Sequence, residues 1–292
     1  MRRQQSSIQK ERLRSYASIF SSTSFAQLLK TKDYDFINKK IERYDQNKLG
    51  KTFNTYSEYI QYVYNSLKKE YRCEYIYKNE IINELLLKKY GTENTVVINE
   101  FKVGNSVADM VLFNGTSKAF EIKTELDSER RLNGQLIDYT KIFKECYIVT
   151  HESLIEKYLN VSEKTGLIAI VKHGRSFKME EIKKAQISDD IDAEVLMRSL
   201  RTQEYKNIII NHFGGLPDVS NFQMFNACEL QMKEIPNPVL HGLFISELKK
   251  RASNTQLLST YFKELRQLCL SMKISQSGYS NLDNILSQTI KL

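Results

Sequence analysis

The sequence predicts an α/β protein, with a central mixed sheet flanked by helices and helical N-terminal and C-terminal regions. Three observations predict it. Apolar residues keep helical spacing in the first 70 positions and again from about Asp189 to the end, and short strand-like apolar runs lie between. In that middle stretch the order is helix, three strands, helix, strand, helix, strand, which is the alternation of an α/β core. The 292 residues are 41% hydrophobic and 27% charged, enough for a sizeable core and unlike a disordered chain.

Taken in order, Leu13, Tyr16, Ile19 and Phe20 share helical spacing, as do Phe25, Leu28 and Leu29, and the polar residues 45–51 read as a loop. A helix is expected over 73–90, with Ile81, Ile82, Leu85 and Leu86 on its apolar face and Gly91 as its stop. Val96-Val97-Ile98 and Phe101-Lys102-Val103 are strand-like. Residues 108–113 form a strand, Asn114-Gly115 signals a hairpin turn, and 119–124 return beside it. A polar helix over 128–143, a strand over 146–150, a helix over 153–159 and a strand over 166–171 follow. All three prolines, Pro217, Pro236 and Pro238, mark loops of the last helical stretch. The expected regions are 1–72, basic and helical; 73–187, the core; and 188–292, helical.

Composition narrows the function. No apolar run reaches the roughly 18 residues of a membrane span, and the start is polar, unlike a secretory leader. Cys73, Cys146, Cys228 and Cys269 are far apart, which argues against a disulfide scaffold or zinc site and for a reducing, cytoplasmic setting. The net charge of +8 is concentrated: residues 1–78 hold 16 Lys/Arg against 8 Asp/Glu, and the remainder holds 27 of each. That asymmetry suits a polyanion, nucleic acid first, with Arg2, Arg3, Lys10, Arg12 and Arg14 as candidate contacts; its plain alternative is a solvated helix face. Ten of the 17 tyrosines lie among these charges. Base stacking would use such mixing, but helix packing is the preferred reading.

One constellation carries chemistry. Glu121 and Lys123 alternate onto one face of a strand, with Phe120 and Ile122 on the other, and the hairpin returns Asp109 beside them. Two carboxylates and an ammonium are costly to bury without a purpose, and a divalent metal between the acids supplies one. His151 ends a neighbouring strand and reads as surface, and Gly214-Gly215 reads as a turn.

This arrangement resembles the PD-(D/E)XK nuclease superfamily, the restriction-endonuclease-like fold: an acid at a strand start, then acid, any residue and lysine on the next strand. Ala108 stands where that pattern often has proline. Gln135 and Tyr139 resemble the Gln-x-x-x-Tyr motif of its RecB-like branch. Glu74-Tyr75, Tyr77-Lys78-Asn79, the stretch ending at Gly104, Asn114-Gly115-Thr116 and Glu125-Leu126-Asp127 resemble an uncharacterised bacterial family in the superfamily. The bare pattern recurs at Asp192 and Glu204-Tyr205-Lys206, but there in a helical context where acid and lysine share no face.

The resemblance implies a metal-dependent nuclease hydrolysing phosphodiester bonds, with DNA ahead of RNA as partner and Mg²⁺ or Mn²⁺ as cofactor. It is compatible with a homo-oligomer and with a role in bacterial or phage defence, restriction or repair. Asp109, Glu121 and the Ile122 carbonyl would hold the metal, Lys123 would act on the attacking water, and Gln135 and Tyr139 would position substrate. The helix wheel puts Glu74 on the apolar face and Glu80 toward solvent, which favours Glu74 as a further catalytic acid. The alternatives are a catalytically inactive nuclease-fold protein that binds nucleic acid or regulates, and an interaction protein working through its helical tail.

Overall fold

The computed structural model describes every residue except Met1, Leu126, Arg175 and Ala252, and no side chain of residues 2–6. Helices α1 (Arg2–Ala17), α2 (Ser22–Thr31), α3 (Asp35–Lys40), α4 (Tyr56–Glu70) and α5 (Glu74–Glu80) come first, and α5 runs on as a π-helix over Ile81–Tyr90. Strands β1 (Val96–Val103), β2 (Ser106–Phe113) and β3 (Ser117–Ile122) follow, then α6 (Leu132–Thr140), β4 (Glu145–His151), α7 (Ile155–Leu159), β5 (Gly166–His173) and β6 (Ser176–Lys183). The remainder is helical: α8 (Ala193–Ser199), α9 (Thr202–Phe213), α10 (Met224–Glu234), α11 (Asn237–Lys249), α12 (Arg266–Ser271) and α13 (Gln276–Leu286). The expected mixed α/β architecture is present. Among the described residues no helix is long and apolar enough to cross a membrane, and no disulfide joins the four cysteines.

The chain divides into two units, Met1–Lys89 with Gln256–Leu292, and Tyr90–Thr255. This differs from the three consecutive stretches read from the sequence. The last helical stretch is shared between the units because its apolar residues serve two cores. Leu196, Ile208, Met232, Leu240 and Phe244 pack in one cluster with Val111, Phe113 and Ala119 of the sheet, whereas the backbone carbonyl of Lys263, shortly before α12, accepts from Asn79 of α5 at 2.6 Å.

In the first unit, α4 begins with a capping box in which Thr55 and Glu58 satisfy each other's backbone amides. The basic region's tyrosines are core: Tyr16, Tyr56, Tyr59 and Tyr64 are all buried. Asp45, fully buried, accepts hydrogen bonds from the hydroxyls of Tyr16, Tyr59 and Tyr62 and an ion pair from Lys48 at 2.7 Å. A buried carboxylate survives only with such partners, and its charge, added to burial, pushes the Tyr16 and Tyr59 phenols well above their ordinary range.

In the second unit the sheet runs in the order β1-β2-β3-β4-β5-β6. β1, β2 and β3 are antiparallel; β3, β4 and β5 are parallel, joined through α6 and α7; β6 returns antiparallel to β5. Parallel neighbours need a crossover, and the two helices provide it. Gly115, with φ of 111°, sits in the β2–β3 turn, where a side chain would be strained. β6 was not expected. Its residues are mostly exposed or half-exposed, and lysine and glutamate punctuate it, the pattern of an edge strand that blunts pairing.

Candidate active site

Strand register builds the site. Met110 pairs with Phe120, so Asp109 and Glu121 are the next residues facing each other across β2 and β3. On the other side, Asn99 pairs with Met110 and Phe101 with Ala108, so Glu100 lies opposite Asp109. Glu100 has φ of 55°, a left-handed conformation costly for a residue with a Cβ. Just past β3, Lys123 is fixed by β4: its amide donates to the Val149 carbonyl at 2.9 Å, and its carbonyl accepts from the Thr150 hydroxyl at 2.7 Å.

The predicted residues converge. Lys123 Nζ lies 2.6 Å from Glu121 Oε1 and 3.2 Å from Gln135 Oε1. The Tyr139 hydroxyl stands 2.7 Å from Glu121 Oε2 and 2.8 Å from the Val107 carbonyl. The Ile122 amide donates to Asp109 Oδ2 at 2.7 Å. Gln135 and Tyr139 reach the same strand end because they are one turn apart on α6. Burial, reinforced by the Glu121 charge, raises the Tyr139 pKa, so its hydroxyl keeps the proton it donates.

The environment is drier than the strand alternation implies. All of β3 is buried, and Glu121 and Lys123 are only 2% and 7% exposed, so the acid face is covered as well as the apolar one. Asp109 is half-buried and opens onto a cleft of about 660 Å³. Arg130, Arg131, Gln135 and Asp138 also line it. Sequence reading missed Asp138, Arg130 and Arg131; their signal was proximity to Gln135 on the helix that the motif had already marked.

The two helix acids exchange places relative to the wheel. Glu80 is buried, accepting from Tyr64 at 2.5 Å and Lys68 at 2.8 Å. Glu74 has a 57% exposed side chain and pairs with Lys78 at 2.6 Å. The wheel assumed one apolar face at 100° per residue, but every residue from Ile76 to Ile82 is buried and the helix widens to π geometry at Ile81. Both acids belong to the first unit, and Asp109, Glu121 and Lys123 to the second. The other pattern match has structural roles: Asp192 caps α8, and Glu204 forms a two-pronged ion pair with Arg251, both contacts 2.7 Å.

Of the candidate nucleic-acid contacts, Lys10 and Arg14 are exposed, while Arg12 is half-buried with its guanidinium over the Tyr16 ring. The side chains of Arg2 and Arg3 lie outside the described residues. His151 is buried rather than surface, its Nδ1 2.9 Å from the Ser153 hydroxyl.

Asp109, the Glu121-Ile122-Lys123 stretch and the Gln135–Tyr139 pair of α6 thus stand together on one mixed sheet. The chain belongs to the bacteriophage P4 protein cII family, which matches residues 67–275. It is 31% identical over 134 residues to protein cII of Enterobacteria phage P4, covering 45% of this chain and 50% of that protein. The chain therefore matches about half the length of this curated relative. A solved structure of a protein of unknown function from Silicibacter pomeroyi is similar at 11% identity and a TM-score of 0.32, covering 49% of this chain and 94% of that one.

Proposed function

We propose that the protein is a metal-dependent nuclease of the PD-(D/E)XK type that hydrolyses phosphodiester bonds of DNA with Mg²⁺ or Mn²⁺, acting in the cytoplasm in defence, restriction or repair. The observation that carries this reading is the joining of Asp109, Glu121, Lys123, Gln135 and Tyr139 through direct hydrogen bonds and strand register at one sheet end, beside an open cleft.

Among the described residues no three His, Cys, Asp or Glu side chains gather to hold a metal. Two carboxylates suffice for Mg²⁺, which keeps most of its waters and binds through one or two acids. The donors fit. Glu121 accepts one hydrogen bond at each oxygen, and a carboxylate has about four acceptor sites, so lone pairs remain. Asp109, Glu121 and the Ile122 carbonyl would hold the ion, which would neutralise phosphate charge and acidify a water.

The chain's own groups do the rest. Tyr139 and Lys123 fix the Glu121 carboxylate from its two oxygens. Lys123, held also by Gln135, offers remaining N–H donors to the attacking water and to the charge growing on the phosphate. The Ile122 amide sets the direction of Asp109.

The catalytically inactive reading has one observation in its favour: both Glu121 oxygens are already engaged, as they would be in a purely structural network. Incubating the full chain with linear, circular and single-stranded DNA separates the two readings. Products formed with Mg²⁺ or Mn²⁺ and abolished by chelator support the nuclease. Cleavage that persists in chelator overturns it, as does no cleavage of any substrate by folded protein.

A further inference from the structure

The cleft that opens at Asp109 is lined by two unlike sets of residues. Arg130 and Arg131, both exposed, stand in the short turn Glu129–Arg131. Neither guanidinium has a hydrogen-bond or ion-pair partner among the described residues. The acid of that turn, Glu129, is occupied by Lys157 at 2.5 Å. The second set is apolar: Val107, 47% exposed, and Ile137, 60% exposed. Ile137 is an apolar residue on the outer face of α6, where burial gives it no reason to be. Gly134, between the arginines and Ile137, would carry a Cβ with nothing within 4 Å, so the floor is open. Asp138 is the acid that would oppose an anion here, and its charge is offset by the Ser106 hydroxyl at 2.8 Å and Lys141 at 3.2 Å.

Unpaired arginines beside an acidic reaction centre suit phosphates. An apolar lip next to them is idle against duplex DNA, whose base faces are hidden in the stack. It is useful against a single strand, whose bases are free to turn a face onto protein. We propose that this cleft is a subsite for single-stranded DNA, with backbone phosphates at Arg130 and Arg131 and an unstacked base against Val107 and Ile137. The inference rests on the nuclease reading only in placing the strand's reacting bond at Asp109; the binding itself needs no metal.

The test is fluorescence anisotropy of the full chain with a fluorescein-labelled oligodeoxynucleotide of about 16 nucleotides, a length one or two such sites cover. It is run single-stranded and as duplex, with chelator throughout. Single strand should bind about tenfold or more tighter than duplex. Arg130→Gln with Arg131→Gln should weaken single-strand binding about tenfold and lower the slope of log affinity against log salt by about 1.4, from about 0.7 per phosphate. Ile137→Ser should weaken single-strand binding without changing that slope. Duplex binding as tight as single strand, no binding at all, or arginine variants that melt and bind like wild type would overturn the subsite. Binding as described with no cleavage in Mg²⁺ or Mn²⁺ sinks the nuclease reading alone. Cleavage with the arginine variants unaffected sinks the subsite alone.

Discussion

Tyr139 shows how one hydroxyl serves two ends. Its single proton can go to Glu121 Oε2 or to the Val107 carbonyl, both within reach, so that either way it tethers α6 to a strand of the site. Tyr139→Phe should cost about 1–3 kcal/mol, because a buried carboxylate loses a donor, and should lower any cleavage rate. Urea melts and an activity assay check both; unchanged stability would mean that the hydroxyl is not holding the carboxylate. Asp45 carries more weight. Asp45→Ala leaves three tyrosine hydroxyls and Lys48 without their acceptor and should cost roughly 3–5 kcal/mol, measured by the same melts. His241 supplies a pH dependence. Burial, aided by Lys144, lowers its pKa to about 4, while Asp189 acts the other way, and its Nε2 lies 2.8 Å from the buried Ser117 hydroxyl. The neutral form is the folded one. Above the unfolded value of about 6.5 nothing is lost, and between there and about 4 the unfolded chain binds a proton that the folded chain refuses. Stability should fall by roughly 3 kcal/mol over that window, and His241→Gln should flatten the fall. Identical pH profiles for the two proteins would contradict it.

Among elements, Gly134 sits inside α6 with open space where a Cβ would go. Gly134→Ala should therefore stabilise the protein by up to about 1 kcal/mol through helix propensity, read as a raised Tm. The first five strands were legible because each carries a short apolar run, and the β2–β3 hairpin most clearly because Phe113 leads into Asn114-Gly115. The site's convergence was legible too, because strand alternation and a two-arm hairpin fix which side chains meet. Two elements were not. β6 lacks an apolar face to announce it, since its edge position leaves Lys178 in solvent and Glu180 only half-buried. The α5 helix misled in the opposite way: an element buried over successive residues has no wheel to read, and π geometry shifts whatever phase remains. Glu80→Gln should cost about 2–4 kcal/mol by unpairing Lys68 and weakening the Tyr64 bond, and Glu74→Gln less than about 0.5 kcal/mol. A larger loss from Glu74→Gln would restore the wheel's assignment.

At the scale of the whole molecule, the first unit holds the charge excess, with Lys10 and Arg14 exposed on α1, and the second holds Asp109, Glu121 and Lys123. Removing residues 1–14 should flatten the salt dependence of DNA binding while leaving the chemistry of bound DNA unchanged; an unaltered slope would take the N-terminal region out of the account. The central claim is that Asp109, Glu121 and Lys123 make a metal-dependent hydrolytic site, and the most direct measurement is cleavage of saturating single-stranded DNA by wild type, Asp109→Asn and Lys123→Ala across a Mg²⁺ titration. Asp109 is half-buried, so its amide variant should keep the fold, which thermal melts would verify. The account predicts wild-type cleavage that rises with Mg²⁺ and falls by about a hundredfold or more in each variant. Folded variants that cleave as wild type does, or a wild type that cleaves nothing at any Mg²⁺ concentration, would contradict it.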